Sequence, residues 1–102
     1  MKPQVTLTAT IYAKPGKEAE VLEILHSFVA PTRAEKGCVN YDLHVLKDQP
    51  GTFMFYENWE TKADLDAHSK MPHLKPLGAR ADELLAKPTE LVFFEMQSDM
   101  NG

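Results

Sequence analysis

Residues 4 to 13 alternate cleanly, with Val5, Leu7, Ala9, Ile11 and Ala13 on one side and Thr6, Thr8, Thr10 and Tyr12 on the other. Alternation with so much β-branching predicts a strand that has one face better buried than the other. Lys14-Pro15-Gly16 breaks it, and from 17 to about 30 the spacing becomes helical. Val21, Leu22, Leu25, Phe28 and Val29 form the apolar stripe of that segment, and Pro31 is expected to end it. Glu35-Lys36-Gly37 reads as a turn into a second strand over 38 to 46, with Tyr41 and Leu43 on one face and Asn40 and Asp42 on the other. Asp48-Gln49-Pro50-Gly51 reads as a hairpin connection to a third strand over 52 to 60. Thr61 can cap a helix over 62 to 70, with Asp64 as the acidic partner three residues on. Met71-Pro72 interrupts it, and Leu74, Leu77, Ala81, Leu84 and Leu85 mark a further helical stripe. A last strand is expected within 89 to 97, followed by a polar tail over 98 to 102.

The order β-α-β-β-α-β is that of the α+β, ferredoxin-like split βαβ, an antiparallel four-stranded sheet with its helices on one face. Strands 3 and 4 carry apolar residues on both faces: Met54 and Tyr56 alternate with Phe53 and Phe55, and Val92 and Phe94 with Leu91 and Phe93. A second face left to solvent should read polar, so the expectation is a homodimer formed through the uncovered sheet face.

The third strand holds the most telling segment. Phe53, Phe55, Glu57 and Trp59 lie two apart, so in an extended strand all four leave from one face. A carboxylate among aromatics is an unusual choice for a core face. Nine residues after Trp59, His68 falls on the following helix and shares the inward stripe of Leu65, where it can reach back over that face. The pattern therefore predicts an aromatic cleft with one acid in it and one imidazole above it. Each member also has an ordinary reading. Trp59 can be a core anchor, Tyr41 a core residue on the apolar face of its strand, Glu57 a solvent-facing or Lys-paired acid, and His68 a structural histidine bonded to a carbonyl. His73, just after Pro72, can simply cap the next helical segment. Asn40 and Tyr41 are neighbours on a strand and cannot line the same pocket unless a bulge intervenes.

Composition narrows the remaining choices. The 102 residues are enough for one domain with a hydrophobic core. Eleven Lys and Arg against fifteen Asp and Glu, a net charge of −4, argue against nucleic acid or an anionic membrane as partner. No run approaches the ~20 apolar residues of a membrane span, and the N-terminus does not read as a signal peptide. One cysteine, Cys38, excludes an internal disulfide framework and fits a reducing cytoplasm. Its neighbourhood offers no His or basic pair to activate a thiolate, and a buried filler is expected. Four histidines stand at 26, 44, 68 and 73. His68 and His73 are five apart with a proline between them, off the spacing of paired ligands on a helix, so no metal site is expected. A Gly-rich phosphate loop is also absent, and nucleotide cofactors are not supported.

Taken in order, Glu35-x-Gly37-Cys38-x-x-Tyr41, Phe53-x-x-x-Glu57-x-Trp59, Asp66-x-His68 and Met71-Pro72-His73 resemble the antibiotic biosynthesis monooxygenase family, and within it the small quinol monooxygenases. The resemblance runs from the first strand to Glu95. It implies a dimeric ferredoxin-like fold and oxygenation of a small aromatic diol without metal, flavin or haem. His68 would then be the general base, with Glu57 and Trp59 as its catalytic companions. Phe53 and Phe55 would be aromatic walls, and Tyr41, Asn40 and His73 substrate contacts. The same family resembles isomerases of a small hydroxyketone phosphate, which would need cations; Lys70, Lys75 and Arg80 are the ones nearby. A non-catalytic module that binds a small hydrophobic molecule is the third alternative.

Overall fold

Strand β1 (Val5–Tyr12) forms where the alternation begins, and helix α1 (Glu18–Arg33) follows the Pro15-Gly16 break. The description of the protein rests on a computed structural model covering residues 3–100; the last two residues of the expected tail, Asn101 and Gly102, lie outside it. Helix α1 continues through Pro31 instead of ending there. A proline in a helix interior removes one backbone bond and costs about 3 kcal/mol. Here the turn beyond it is tied down: Thr32 is fully buried, and Arg33 donates from Nε to the Tyr41 carbonyl (3.1 Å) and from Nη2 to Asp42 Oδ1 (2.9 Å).

Strands β2 (Cys38–Leu46) and β3 (Gln49–Trp59) form the central hairpin. Its turn is Lys47–Asp48, two residues earlier than the Pro-Gly pair suggests. Asp48 takes the left-handed conformation (φ 71°) that the tight reversal requires, and Pro50-Gly51 is absorbed into the start of β3. The Thr61 cap holds: its hydroxyl accepts from the Asp64 N–H at 3.1 Å and opens α2 (Lys62–His68). The stripe from Leu74 to Leu85 folds as three short pieces, not one helix. They are a 3-10 turn at Pro72–Leu74, α3 (Lys75–Ala79) and α4 (Ala81–Leu84), the last two separated at Arg80. Strand β4 (Glu90–Phe94) is short and lies at the edge.

The sheet order is β2-β3-β1-β4, antiparallel throughout, the ferredoxin-like arrangement. One face is covered by the helices. Its core joins Ala9, Ile11, Phe53 and Phe55 of the sheet to Val21, Leu25 and Phe28 of α1 and to Leu77 and Leu84 of the later segments. The other face carries Met54 and Tyr56 of β3 and Val92 and Phe94 of β4, as their alternation predicts, but it is not apolar throughout. Across β1, β3 and β2 it carries Thr6, Asn58 and Asn40, joined by hydrogen bonds of 2.6 and 2.7 Å. Apolar exposure concentrates at β4. Leu91 and Phe93 stand opposite Ala9 and Leu7 on the helix side, Val92 and Phe94 opposite Thr8 and Thr6 on the other, and all four are about half exposed.

Candidate active site

Between the covered face and the helices lies a cavity of about 500 Å³. Leu7, Ala9 and Ile11 of β1 and Phe55 of β3 supply its floor, Leu25 and Phe28 of α1 one wall, and Leu65 and Leu77 of the later helices another. Leu91 and Phe93 of β4 line it from the exposed edge. Within this apolar box the ionisable groups from the buried interior are Glu57, His68 and Tyr41. Lys62 and Asp66 also contribute, but both are exposed and pair with each other at 2.7 Å.

Glu57 is carried inward by the alternation of β3 and is buried. Burial pushes its carboxyl up to about 7; the hydrogen bond that Trp59 Nε1 donates to Oε1 (3.0 Å) holds it down, and the charge of Glu35 raises it again. Near neutral pH this group is therefore divided between acid and carboxylate, the condition of a proton donor or acceptor. Tyr41 stacks on Phe55 with ring centroids 4.2 Å apart and planes 17° from parallel. Its phenol is pushed far upward by burial and by the charge of Glu57, so it meets the cavity as a neutral O–H.

His68, the last residue of α2, projects over this face as its shared stripe with Leu65 predicts. Its imidazole lies between Trp59 (centroids 4.7 Å) and Tyr41 (5.5 Å, edge-on). Nδ1 is 2.9 Å from Oε2 of Glu35, and both side chains are nearly inaccessible. His73 Nε2 reaches the same oxygen at 3.0 Å and Thr32 Oγ1 at 3.0 Å.

Several expected members fall elsewhere. Asn40 is on the uncovered face. The strand has a bulge between Cys38 and Asn40, but it precedes both Asn40 and Tyr41, so their opposite orientation stands. Tyr41 takes the cavity side, while Asn40 donates to Asp42 Oδ2 and to the Tyr56 carbonyl. Phe53 sits opposite Ile11 in the main core and is not a cavity wall. Trp59 is wholly buried and supports Glu57 and His68 from behind without lining the cavity. His73 contacts Glu35 and does not line the cavity either. Cys38 is partly buried, and burial pushes its thiol up to about 11, away from thiolate chemistry.

Glu35 is the residue that sequence reasoning passed over. It reads as part of a turn, yet its side chain is only 6% exposed. The backbone of that turn is fixed, with the Glu35 N–H bonded to the Thr32 carbonyl (3.0 Å) and the Cys38 N–H to the Glu35 carbonyl (3.2 Å). The spacing argument against His68 and His73 meeting also fails, because Pro72 starts a separate 3-10 turn that swings His73 back. Glu35, His68 and His73 bring three possible ligand atoms within 4.8 Å of one another. The two nitrogens stand 2.9 and 3.0 Å from one shared oxygen; His68 Nδ1 is hydrogen-bonded to it, while the hydrogen bond of His73 Nε2 is to Thr32 Oγ1.

Comparison with known proteins agrees with this architecture. Residues 4–79 match the model of the family described as antibiotic biosynthesis monooxygenase. The chain belongs to that family. It is 34% identical over 92 residues to the protein named "Putative monooxygenase YcnE" of Bacillus subtilis, covering 90% of this chain and 97% of that one. It is 29% identical over 92 residues to an uncharacterized protein of Synechocystis, sll1783, of whose length it spans 63%. The crystal structure of PA3566 from Pseudomonas aeruginosa superposes with a TM-score of 0.89 at 32% identity, over 96% of this chain and 98% of that chain. Among the described residues no helix is long and apolar enough to cross a membrane.

Proposed function

We propose that the protein is a cofactor-independent monooxygenase acting on a small quinol or related electron-rich aromatic. The observation that carries this reading is the pairing of a buried imidazole with a carboxyl poised near neutral pH inside an otherwise apolar cavity of about 500 Å³. That volume suits a one- to three-ring planar molecule. His68 takes a proton from the substrate hydroxyl, and the resulting anion is electron-rich enough to pass electrons to dioxygen. One oxygen atom enters the ring carbon and the other leaves as water, so that a quinol and dioxygen yield a hydroxyquinone and water with no added reductant. Glu57 and the Tyr41 hydroxyl hold the substrate oxygens. The apolar walls keep the charged intermediate away from bulk water.

The family also includes reactions on phosphorylated substrates in the resemblance drawn above. A phosphate would need free cations, whereas Lys62, the lysine or arginine on the cavity lining among the described residues, is exposed and paired with Asp66. The oxygenase reading is therefore preferred.

The same reading includes a homodimer. The cavity opens at β4, an edge strand whose Leu91 and Phe93 face the cavity while remaining about half exposed. A second copy docked on the uncovered face and around the β4 edge, where Val92 and Phe94 are also about half exposed, would cover these residues and close the cavity to water.

Oxygen uptake by metal-stripped protein with a reduced naphthoquinone tests the function. The expected result is consumption above autoxidation that His68→Ala reduces to near background. Uptake no faster than autoxidation across a panel of quinols would leave a binding module as the better description. Equal uptake by His68→Ala would remove His68 from the chemistry.

A further inference from the structure

Neutral imidazole has one N–H and one lone pair, and which nitrogen carries which decides what the ring can do. A carboxylate can only accept, so Nδ1 of His68, 2.9 Å from Glu35 Oε2, carries the hydrogen. Nε2 is then left with the lone pair. No protein hydrogen bond holds Nε2, and no fully buried side-chain polar atom lacks a partner among the described residues. Nε2 therefore opens to the cavity that His68 lines.

Glu35 is itself held from behind. His73 Nε2 and Thr32 Oγ1 are 3.0 Å apart, and Thr32 is fully buried. The two imidazoles converge on one oxygen, at 2.9 and 3.0 Å, from α2 and from the 3-10 turn. A continuous chain of polar contacts thus runs from Thr32 through His73 and Glu35 to His68.

We infer that Glu35 is the positioning residue of this site. It holds His68 in the Nδ1–H tautomer so that Nε2 offers its lone pair to the occupant of the cavity, and His73 fixes Glu35 in turn. The consequence for turnover rests on the base role given to His68 above; the tautomer assignment does not.

Long-range proton–nitrogen correlation spectra of the full chain labelled at histidine nitrogen, recorded at mildly alkaline pH, test this directly. His68 is assigned by the peaks missing from His68→Gln. The wild type is expected to show His68 with hydrogen on Nδ1, whereas free histidine favours Nε2. Glu35→Gln keeps an accepting carbonyl and is expected to retain Nδ1–H; Glu35→Ala is expected to shift His68 toward Nε2–H; and His73→Ala should leave the tautomer in place. An Nε2–H tautomer in the wild type would overturn the inference on its own, whether or not the variants fold. So would an unchanged Nδ1–H signal in Glu35→Ala. Titration with Co²⁺ alone adds an arm: visible ligand-field absorption with loss of the Nδ1–H signal would make the trio a metal site instead. In oxygen uptake, Glu35→Ala is expected to lower kcat by at least about 10-fold with little change in KM, and Glu35→Gln to recover part of that loss. Absence of quinol oxidation in the wild type would remove the proposed reaction and leave the tautomer result standing.

Discussion

Trp59 Nε1 donates to Glu57 Oε1 at 3.0 Å, between two residues on the same face of one strand. The indole is wholly buried and the carboxyl nearly so, so the bond is the main polar compensation for an acid placed in an apolar cavity. It opposes desolvation without cancelling it, which is why the Glu57 carboxyl rests near 7 and not in the ordinary carboxylate range.

This raised value makes stability depend on pH. A carboxyl whose folded pKa, about 7, lies above its ordinary 4.5 favours the fold when protonated. Its contribution is complete below about pH 4.5 and is lost as pH rises through about 7, a difference on the order of 3 kcal/mol. Urea unfolding of wild type and Glu57→Gln at pH 5 and pH 8 checks this. The variant should gain relative to wild type at pH 8, and a constant difference between the two pH values would contradict it.

Trp59→Phe keeps most of the ring but removes the donor. The Glu57 carboxyl should then move further upward, and the folded protein should lose about 1–3 kcal/mol at pH values where that group is ionised. At low pH the loss should be smaller. The same unfolding measurement, repeated across pH, separates this from a packing defect, which would not vary with pH.

Gly37 has φ +82°, and a Cβ added there would overlap the Asp64 side chain. Asp64 accepts from Thr61 Oγ1 and its N–H donates back to the same hydroxyl, the pair that opens α2. Gly37→Ala should therefore cost about 2 kcal/mol or more, through both the backbone conformation and the displaced cap. Thermal unfolding provides the check. Gly78→Ala is the matched control, since a Cβ there meets nothing within 4 Å.

Sedimentation at micromolar concentration should give a dimer, and Phe94→Asp should shift it toward monomer. Phe94 is about half exposed in the single chain, so the substitution has little fold to disrupt, and circular dichroism should be unchanged. A wild-type monomer would remove the partner copy from the account of the cavity.

Much of this architecture could be read from periodicity. The change from period 2 to period 3.6 and back locates β1, α1, β2, β3 and α2, and places Glu57 and His68 on one side of the sheet. What escaped depends on contacts distant in sequence. Arg33 reaching Tyr41 and Asp42 lets α1 run past Pro31. Glu35 carries no periodic signal, because it lies in a turn whose direction is set by the left-handed Gly37. The one legible hint was the Glu35-x-Gly37 pair itself. His73 was set aside by a rule for ligands sharing one helix, and that rule has no force where Pro72 begins a new turn. Phe53, Phe55, Glu57 and Trp59 do share a face, but a shared face does not mean a shared cavity. Phe53 is in the core and Trp59 is behind the site.

The hydrogen bonds joining Thr6, Asn58 and Asn40 bear on how the chain finds one sheet among several near-equivalent ones. Sliding β3 by two residues against its neighbours would keep every apolar residue on its own side, so hydrophobic pattern alone cannot reject that misalignment. Asn58 can. It is fully buried and stands opposite both Thr6 and Asn40, the partners that satisfy it. A slip that moved Asn58 to the level of Tyr56 would exchange both of these partners at once, for Thr8 and Asp42, and lose the two bonds, each of which contributes about 1 kcal/mol. Three small polar side chains on the face away from the cavity thus act as an alignment key, fixing the level of β3 along its neighbours and hence that Glu57 arrives beneath His68.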